Sequence, residues 1–153
     1  MGTIADRLTE LGLTLPAVAK PVAAYVPAVV TGNLAFTAGQ LPMRDGALMA
    51  TGKFGAELTA EQGAALAQQC ALNALAAVES VIGSLDRVTR IVKVVAFVAS
   101  TPDFTGQPAV ANGASLILGE IFGDAGIHAR SAVGAPSLPL DAPVEVELVV
   151  ECA

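Results

Sequence analysis

Positive charge is scarce in this sequence. Lysine and arginine together number 8, against 14 aspartates and glutamates, so the formal net charge is −6 at pH 7. A surface that binds nucleic acid needs clustered lysine and arginine to neutralise phosphates. The composition therefore argues against a nucleic-acid partner. It also raises the question of why Arg130 stands at the head of a short apolar run near the end of the chain.

Histidine and cysteine are also few. His128 is the only histidine, which excludes a histidine pair on a metal, and we interpret it as a surface residue at the start of a strand. Cys70 and Cys152 lack metal-ligand spacing, and we predict that both are reduced thiols. The sequence also lacks the G-x-G-x-x-G, P-loop and G-x-S-x-G patterns. We therefore expect no metal and no other cofactor.

Charged residues make up only 14% of the chain, whereas 54% of its residues are apolar. This is more apolar than a small soluble monomer usually needs, so either a membrane segment or buried subunit faces must explain the excess. The longest uncharged stretch, residues 21–43, is interrupted by prolines and glycines and cannot form a continuous helix in lipid. The N-terminus lacks the basic region and the long apolar region of a secretory signal. We predict a soluble, cytoplasmic homo-oligomer with no membrane partner.

Hydrophobic periodicity predicts a single α+β domain over residues 1–153. An apolar stripe recurs at helical spacing from Ala64 to Ile82, and Gly83 ends that helix. Two long helices between strands favour a mixed sheet that carries both helices on one face. The predicted elements are a helix at 3–12, a hairpin in 28–42 that turns at Gly32–Asn33, a small strand around Leu48, a helix at 59–82, a strand at 90–100, a helix at 108–123, and strands at about 128–135 and 143–151.

Arg130 is the first candidate for a functional role. Alternation along its strand places Arg130 on the same side as Ala132 and Gly134, which leaves room around the guanidinium. The planar donor fork of arginine matches a carboxylate in a bidentate way, which the point charge of lysine does not. The alternative is an ordinary surface arginine at the end of a strand, since arginine is rarely buried.

Two glutamates and one tyrosine are further candidates. Glu145 and Glu147 alternate with valines, which by itself is typical of a solvated strand face. If the last two strands pair as a hairpin around residues 137–140, however, Arg130 lies within a residue or two of Glu145, and that carboxylate could orient water or move a proton. Tyr25, the only tyrosine, could cover a small ligand or be a half-buried core ring.

Three ordered motifs resemble the RidA/YjgF family, which is also labelled endoribonuclease L-PSP or translation-initiation inhibitor. They are GNLAFTAGQLP at 32–42, RVTRIVKVVAFV at 87–98 and ARSAVGAPSLPLDAPVEVE at 129–147. The resemblance covers about residues 20–152, so that residues 1–12 form an extra N-terminal helix. This helix and the NGAS segment at 112–115 indicate a divergent branch.

The resemblance implies a chorismate-mutase-like fold and a homotrimer with three clefts between subunits. It also implies hydrolysis of reactive enamines and imines, such as 2-aminoacrylate, to a 2-keto acid and ammonia. The family's carboxylate-binding arginine falls on Arg130, its water-orienting glutamate on Glu145, its cleft tyrosine on Tyr25 and its signature glycine on Gly39. Imines hydrolyse in water unaided, so fixing the substrate and orienting one water can suffice.

Two departures from the family pattern affect the expected cleft. Ala38 replaces the signature serine, and Ala132 replaces a residue that is often cysteine, so two polar contacts are lost. The alternative function is therefore a trimeric protein that binds small carboxylates without chemistry. A ribonuclease, as the family label suggests, is disfavoured by the net charge and the single histidine.

Overall fold

Each segment predicted from the periodicity forms the expected type of element in the computed structural model, which describes residues 2–21 and 23–153. The small predicted strand around Leu48 is half of a two-stranded ribbon. The helices and strands are α1 (Ile4–Glu10), β1 (Ala28–Thr31), β2 (Leu34–Thr37), β3 (Met43–Arg44), β4 (Ala47–Leu48), α2 (Ala60–Ile82), β5 (Val88–Ala99), α3 (Gln107–Phe122), β6 (Ala129–Ala135) and β7 (Val144–Cys152).

The main sheet is mixed, as predicted. Its strand order is β1-β2-β7-β5-β6, with β5 and β6 parallel and the other pairs antiparallel. Side chains alternate between the two faces of a strand. On β7 every second residue, from Val144 to Cys152, is buried beneath the helices, and the residues between them are half-buried. One face of the sheet therefore carries α2 and α3, and the other face carries neither.

The predicted hairpin between the last two strands is wrong. β5 lies between β6 and β7 and pairs with both of them. The reason is the crossover through α3, which returns the chain to the same end of the sheet and makes β6 parallel to β5 at the edge. β7 then enters on the other side of β5, so closeness in sequence does not make β6 and β7 neighbours.

The long helix α2 forms the centre of the core. Its start is capped by the Thr59 backbone N–H, which donates to the Gln62 side-chain oxygen at 2.8 Å, and Gly83 ends the helix with a φ of +89°. By length and composition α2 could cross a membrane, but 72% of its most apolar window is buried within this fold. Cys70 of α2 and Cys152 of β7 are both buried, and neither forms a disulfide within residues 2–21 and 23–153.

Helices α2 and α3 touch at two glycines. A Cβ atom built at Gly113 of α3 would overlap the backbone carbonyl of Ala64, and one at Gly63 of α2 would lie 2.7 Å from a Val110 methyl carbon. Both glycines are buried. The two helices therefore approach each other more closely than side chains larger than hydrogen would allow.

Candidate functional site

A small cavity of about 140 Å³ gathers three of the four predicted site residues. Tyr25, Gly39 and Glu145 all line it, together with Lys20 and Leu140. Tyr25 and Lys20 come from the proline-punctuated approach to β1, Gly39 follows β2, and Glu145 lies on β7. The cavity thus lies where the beginning of the chain crosses the ends of two neighbouring strands.

Gly39 and Glu145 are held side by side by the backbone. The Gln40 N–H donates to the Val146 carbonyl at 2.8 Å, and the Val146 N–H donates back to the Gln40 carbonyl at 2.9 Å. A Cβ atom at position 39 would overlap the Glu145 carboxylate and would lie 2.9 Å from its Cγ. Any side chain at position 39 would therefore displace the Glu145 side chain from the position that it occupies.

The surroundings of Glu145 favour its neutral form. Burial removes water from the half-buried carboxyl, and the nearby negative charge of Glu147 acts in the same direction, so both raise the pKa of Glu145. A carboxylate with a raised pKa is a better proton acceptor near neutral pH than an ordinary surface glutamate. The position and the electrostatics of Glu145 both suit a general base that orients a water molecule.

Tyr25 is 47% exposed and lines the cavity, so the interpretation as a core ring is wrong. Its phenol belongs to the wall of the cavity, which agrees with the alternative of a side chain that covers a small ligand. Ala38, at the position of the family's signature serine, is half-buried and brings no side-chain donor to this region.

Replacing Glu145 by glutamine is expected to stabilise the folded protein at neutral pH. Because folding raises the pKa of Glu145, the contribution of this one group to stability is fully present below its ordinary pKa of 4.5 and is lost as the pH rises through the folded pKa. Glu145→Gln has no carboxyl group to ionise and so does not lose this stability. Urea unfolding between pH 4 and 8 should give a higher free energy of unfolding for the variant than for the wild type, and the difference should grow with pH. A variant less stable than the wild type at pH 7 would contradict the burial of a carboxylate charge.

Arg130 does not join this cavity within one copy of the chain. Its strand neighbour on β5 is Val94, whereas Glu145 pairs with Phe97. These β5 residues are three positions apart and point to opposite faces, since Val94 is fully buried beneath the helices and Phe97 is half-buried. Arg130 and Glu145 are therefore on opposite sides of the sheet, and the predicted proximity of the two residues within the chain is wrong.

The Arg130 side chain instead packs against α3. Its Nη1 group donates to the Asn112 side-chain oxygen at 2.8 Å and to the Ser115 hydroxyl at 3.1 Å. As alternation predicts, Arg130 lies on the same face as Ala132 and Gly134, because their β5 partners Val94, Ala96 and Val98 are all buried. Arg130 is half-buried at the edge of the sheet and is not a free surface charge.

Two features near these sites were not predicted from the sequence. Lys20 lines the same cavity as Glu145 and brings a positive charge to it, although nothing in the spacing around this lysine indicated a site. His128 is not a simple surface residue, since it is half-buried and both ring nitrogens have partners, Ser115 and the carbonyl of Gly126. A single histidine forms no sequence motif, so these hydrogen-bond partners could not be predicted.

Comparison with protein families matches residues 5–152 to the YjgF/chorismate mutase-like family, which is described as a family of candidate endoribonucleases. The chain belongs to the YjgF/chorismate mutase-like family. Protein TCP17 of Trypanosoma cruzi is 46% identical over 151 residues, which cover 98% of this chain and 94% of that protein. The family predicted from the three motifs is thereby confirmed.

Solved structures of similar proteins confirm the YjgF fold. Protein Atu1372 of Agrobacterium tumefaciens, whose function is unknown, is 42% identical with a TM-score of 0.91, and the match covers 99% of this chain and 94% of that one. A candidate endoribonuclease of Shewanella oneidensis is 34% identical with a TM-score of 0.95, and the match covers 98% of this chain and 99% of that one. These relatives share the fold over nearly their whole length.

Proposed function

We propose that this YjgF-family protein is a hydrolytic deaminase that converts reactive 2-enamine and 2-imine acids to 2-keto acids and ammonia. The observation that carries the proposal is the cavity that brings together Tyr25, Gly39 and Glu145. The reaction also needs a cation that holds the substrate carboxylate. In the proposed site Arg130 of a second copy supplies it, because Arg130 and Glu145 of one copy lie on opposite sides of the sheet.

The surface of the chain supports such an assembly. The sheet face without helices exposes apolar side chains, among them Val29 at 52%, Phe36 at 38% and Val133 at 46%. The edge strand β6 also has a row of backbone groups with no neighbouring strand on one side. Exposed apolar faces and open strand edges are typical of protein–protein interfaces. We propose that a cytoplasmic homotrimer covers this face and forms a cleft at each subunit boundary.

The proposed chemistry needs few groups. A guanidinium holds the substrate carboxylate, and Glu145 accepts a proton from a water molecule as the water oxygen attacks the imine carbon. Glu145 returns that proton to the nitrogen, which gives a neutral carbinolamine. The hydroxyl proton of the carbinolamine then passes through Glu145 to the nitrogen as the C=O bond forms, the C–N bond breaks and ammonia leaves. The products are a 2-keto acid and ammonia, with one water consumed.

Lys20 provides a second way to hold the carboxylate, because it lines the cavity of the same copy. Arg130 is favoured because two of its three guanidinium nitrogens, Nε and Nη2, donate no hydrogen bond within residues 2–21 and 23–153. The two parallel N–H groups on these nitrogens match the two oxygens of a carboxylate. If Arg130 holds the carboxylate, Arg130→Ala should lower activity more than Lys20→Ala does. If Lys20 holds it, the order should be reversed.

The deciding experiment measures keto-acid formation when purified protein is mixed with a source of 2-aminoacrylate. We expect Arg130→Ala to lower kcat/KM by about 100-fold or more, because two charge-assisted hydrogen bonds are lost. Lys20→Ala should change kcat/KM by less than about threefold, because a cavity-edge lysine contributes only screened attraction. The reverse result would assign the carboxylate to Lys20.

The same protein also tests the other functions. A small keto acid that binds without any acceleration of imine hydrolysis would favour a carboxylate-binding protein and would overturn the deaminase. Nuclease-free preparations should leave RNA intact, because the chain has a net charge of −6 and few cations to meet phosphates.

A further inference from the structure

We propose that Asn112, Ser115 and His128 are positioning residues that hold the Arg130 guanidinium with its Nε–Nη2 edge toward the substrate carboxylate. The inference rests on the proposed function, since it assigns a purpose to the surroundings of the carboxylate-binding arginine. None of these three residues belongs to the motifs that identify the family.

The hydrogen bonds around Arg130 form a chain with one consistent direction. The Gly126 carbonyl can only accept, so the His128 Nδ1–H donates to it, at 2.6 Å. In the neutral ring the other nitrogen, Nε2, then accepts from the Ser115 hydroxyl at 2.8 Å. That hydroxyl oxygen in turn accepts from Arg130 Nη1 at 3.1 Å. A single neutral tautomer of His128 satisfies every member of the chain.

The backbone fixes both ends of this arrangement. Asn112 and Ser115 are three residues apart on α3 and therefore point to the same side of the helix. Gly126, which anchors His128, is buried against α3, and a Cβ atom there would overlap the Leu118 carbonyl. The carbonyl that orients the imidazole is thus held directly on the helix that carries the serine.

The arrangement leaves a defined part of the guanidinium available. Nη1 is occupied by two oxygens of α3, whereas Nε and Nη2 have no hydrogen-bond partner within the described residues. The Nε–Nη2 edge presents two parallel N–H groups, which is the geometry that a carboxylate accepts in a bidentate pair. Fixing Nη1 therefore selects the edge that meets the substrate and reduces the ordering needed on binding.

Kinetics of Ser115→Ala and Ser115→Thr test the positioning role. Ser115→Ala is expected to raise KM for 2-aminoacrylate-derived imine about tenfold with kcat changed less than about twofold, because binding of the carboxylate is affected and Glu145 is not. Ser115→Thr keeps the hydroxyl and should restore KM. Leu116→Ala, at the adjacent position of α3 where the side chain is 65% exposed, is the matched control and should leave both constants unchanged.

A second measurement needs neither substrate nor activity. His128 is the only histidine, so histidine labelled with ¹⁵N gives the signals of one ring. We expect the Nδ1–H tautomer in the wild type, and we expect Ser115→Ala to shift the Nε2 signal while the Nδ1 signal stays. An Nε2–H tautomer in the wild type would overturn the hydrogen-bond chain.

The two measurements separate this inference from the deaminase itself. A wild type that does not accelerate imine hydrolysis overturns the proposed function, and the tautomer still tests the hydrogen-bond chain. An active wild type with an unchanged KM in Ser115→Ala overturns the positioning role alone. Covalent labelling of Ser115 by a fluorophosphonate also overturns it, because the Ser115–His128 pair would then act as a nucleophile and base.

Discussion

Gly39→Ala is expected to lower kcat/KM for imine hydrolysis by about 100-fold, the effect of losing a positioned general base. The methyl group would take the place of the Glu145 carboxylate, and the glutamate side chain would have to rotate away from the cavity. The backbone is held on both sides of Gly39, by the Ala38 N–H that donates to the Pro27 carbonyl and by the Gln40–Val146 bridge, and cannot move aside easily. Steady-state kinetics with a 2-aminoacrylate source measure the loss.

Two comparisons make this result specific. Glu145→Gln should reduce activity to a similar level, and the double variant should be no worse than either single variant, because both remove the same carboxylate from the site. Gly119→Ala on α3 is the matched glycine control, since a Cβ atom there meets nothing within 4 Å. Full activity in Gly39→Ala would mean that the position of Glu145 is unimportant for the reaction.

Gly113→Ala is expected to destabilise the fold by about 3 kcal/mol or more, at the upper end of what overpacking costs. The added methyl group would overlap the Ala64 carbonyl, which is backbone of α2 and cannot rotate away as a side chain could. The two helices would have to separate and lose contacts along their whole interface. For a chain of this length, the melting temperature of the variant should be about 6–12 °C lower than that of the wild type.

The same control applies to this prediction. Gly119→Ala lies in the same helix with open space around it, so it should leave the melting temperature unchanged or raise it, because alanine favours helix over glycine by about 1 kcal/mol. Both variants should be compared at one protein concentration, since subunit association also affects melting. Equal melting temperatures for Gly113→Ala and the wild type would mean that α2 and α3 are not in close backbone contact.

The sequence predicts the elements of this fold well because each has a local signal. Thr59 and Gln62 mark the beginning of α2, Gly83 marks its end, and Gly32–Asn33 marks the turn of the first hairpin. Strand order has no such local signal. The positions of β5, β6 and β7 depend on the crossover through α3 and on which edges remain open, so the hairpin predicted for the last two strands was wrong.

The candidate site was predictable only in part for the same reason. Gly39 came from motif resemblance alone, whereas Tyr25 and Glu145 were also candidates by their own pattern, and the structure gathers all three in one cavity. Alternation placed Arg130 on the correct face, but its distance from Glu145 depends on strand order. Lys20 and the partners of His128 left no pattern in the sequence, because they meet only through tertiary packing.

The opposite orientations of Arg130 and Glu145 across one sheet have a thermodynamic consequence under the proposed function. A single subunit contains both the guanidinium and the carboxylate, but the two groups cannot contact the same substrate molecule. Ligand binding and association would then be linked, so that substrate favours the assembled form and dilution weakens the catalyst. Specific activity would depend on protein concentration, and the cell could tune turnover through the abundance of a single polypeptide.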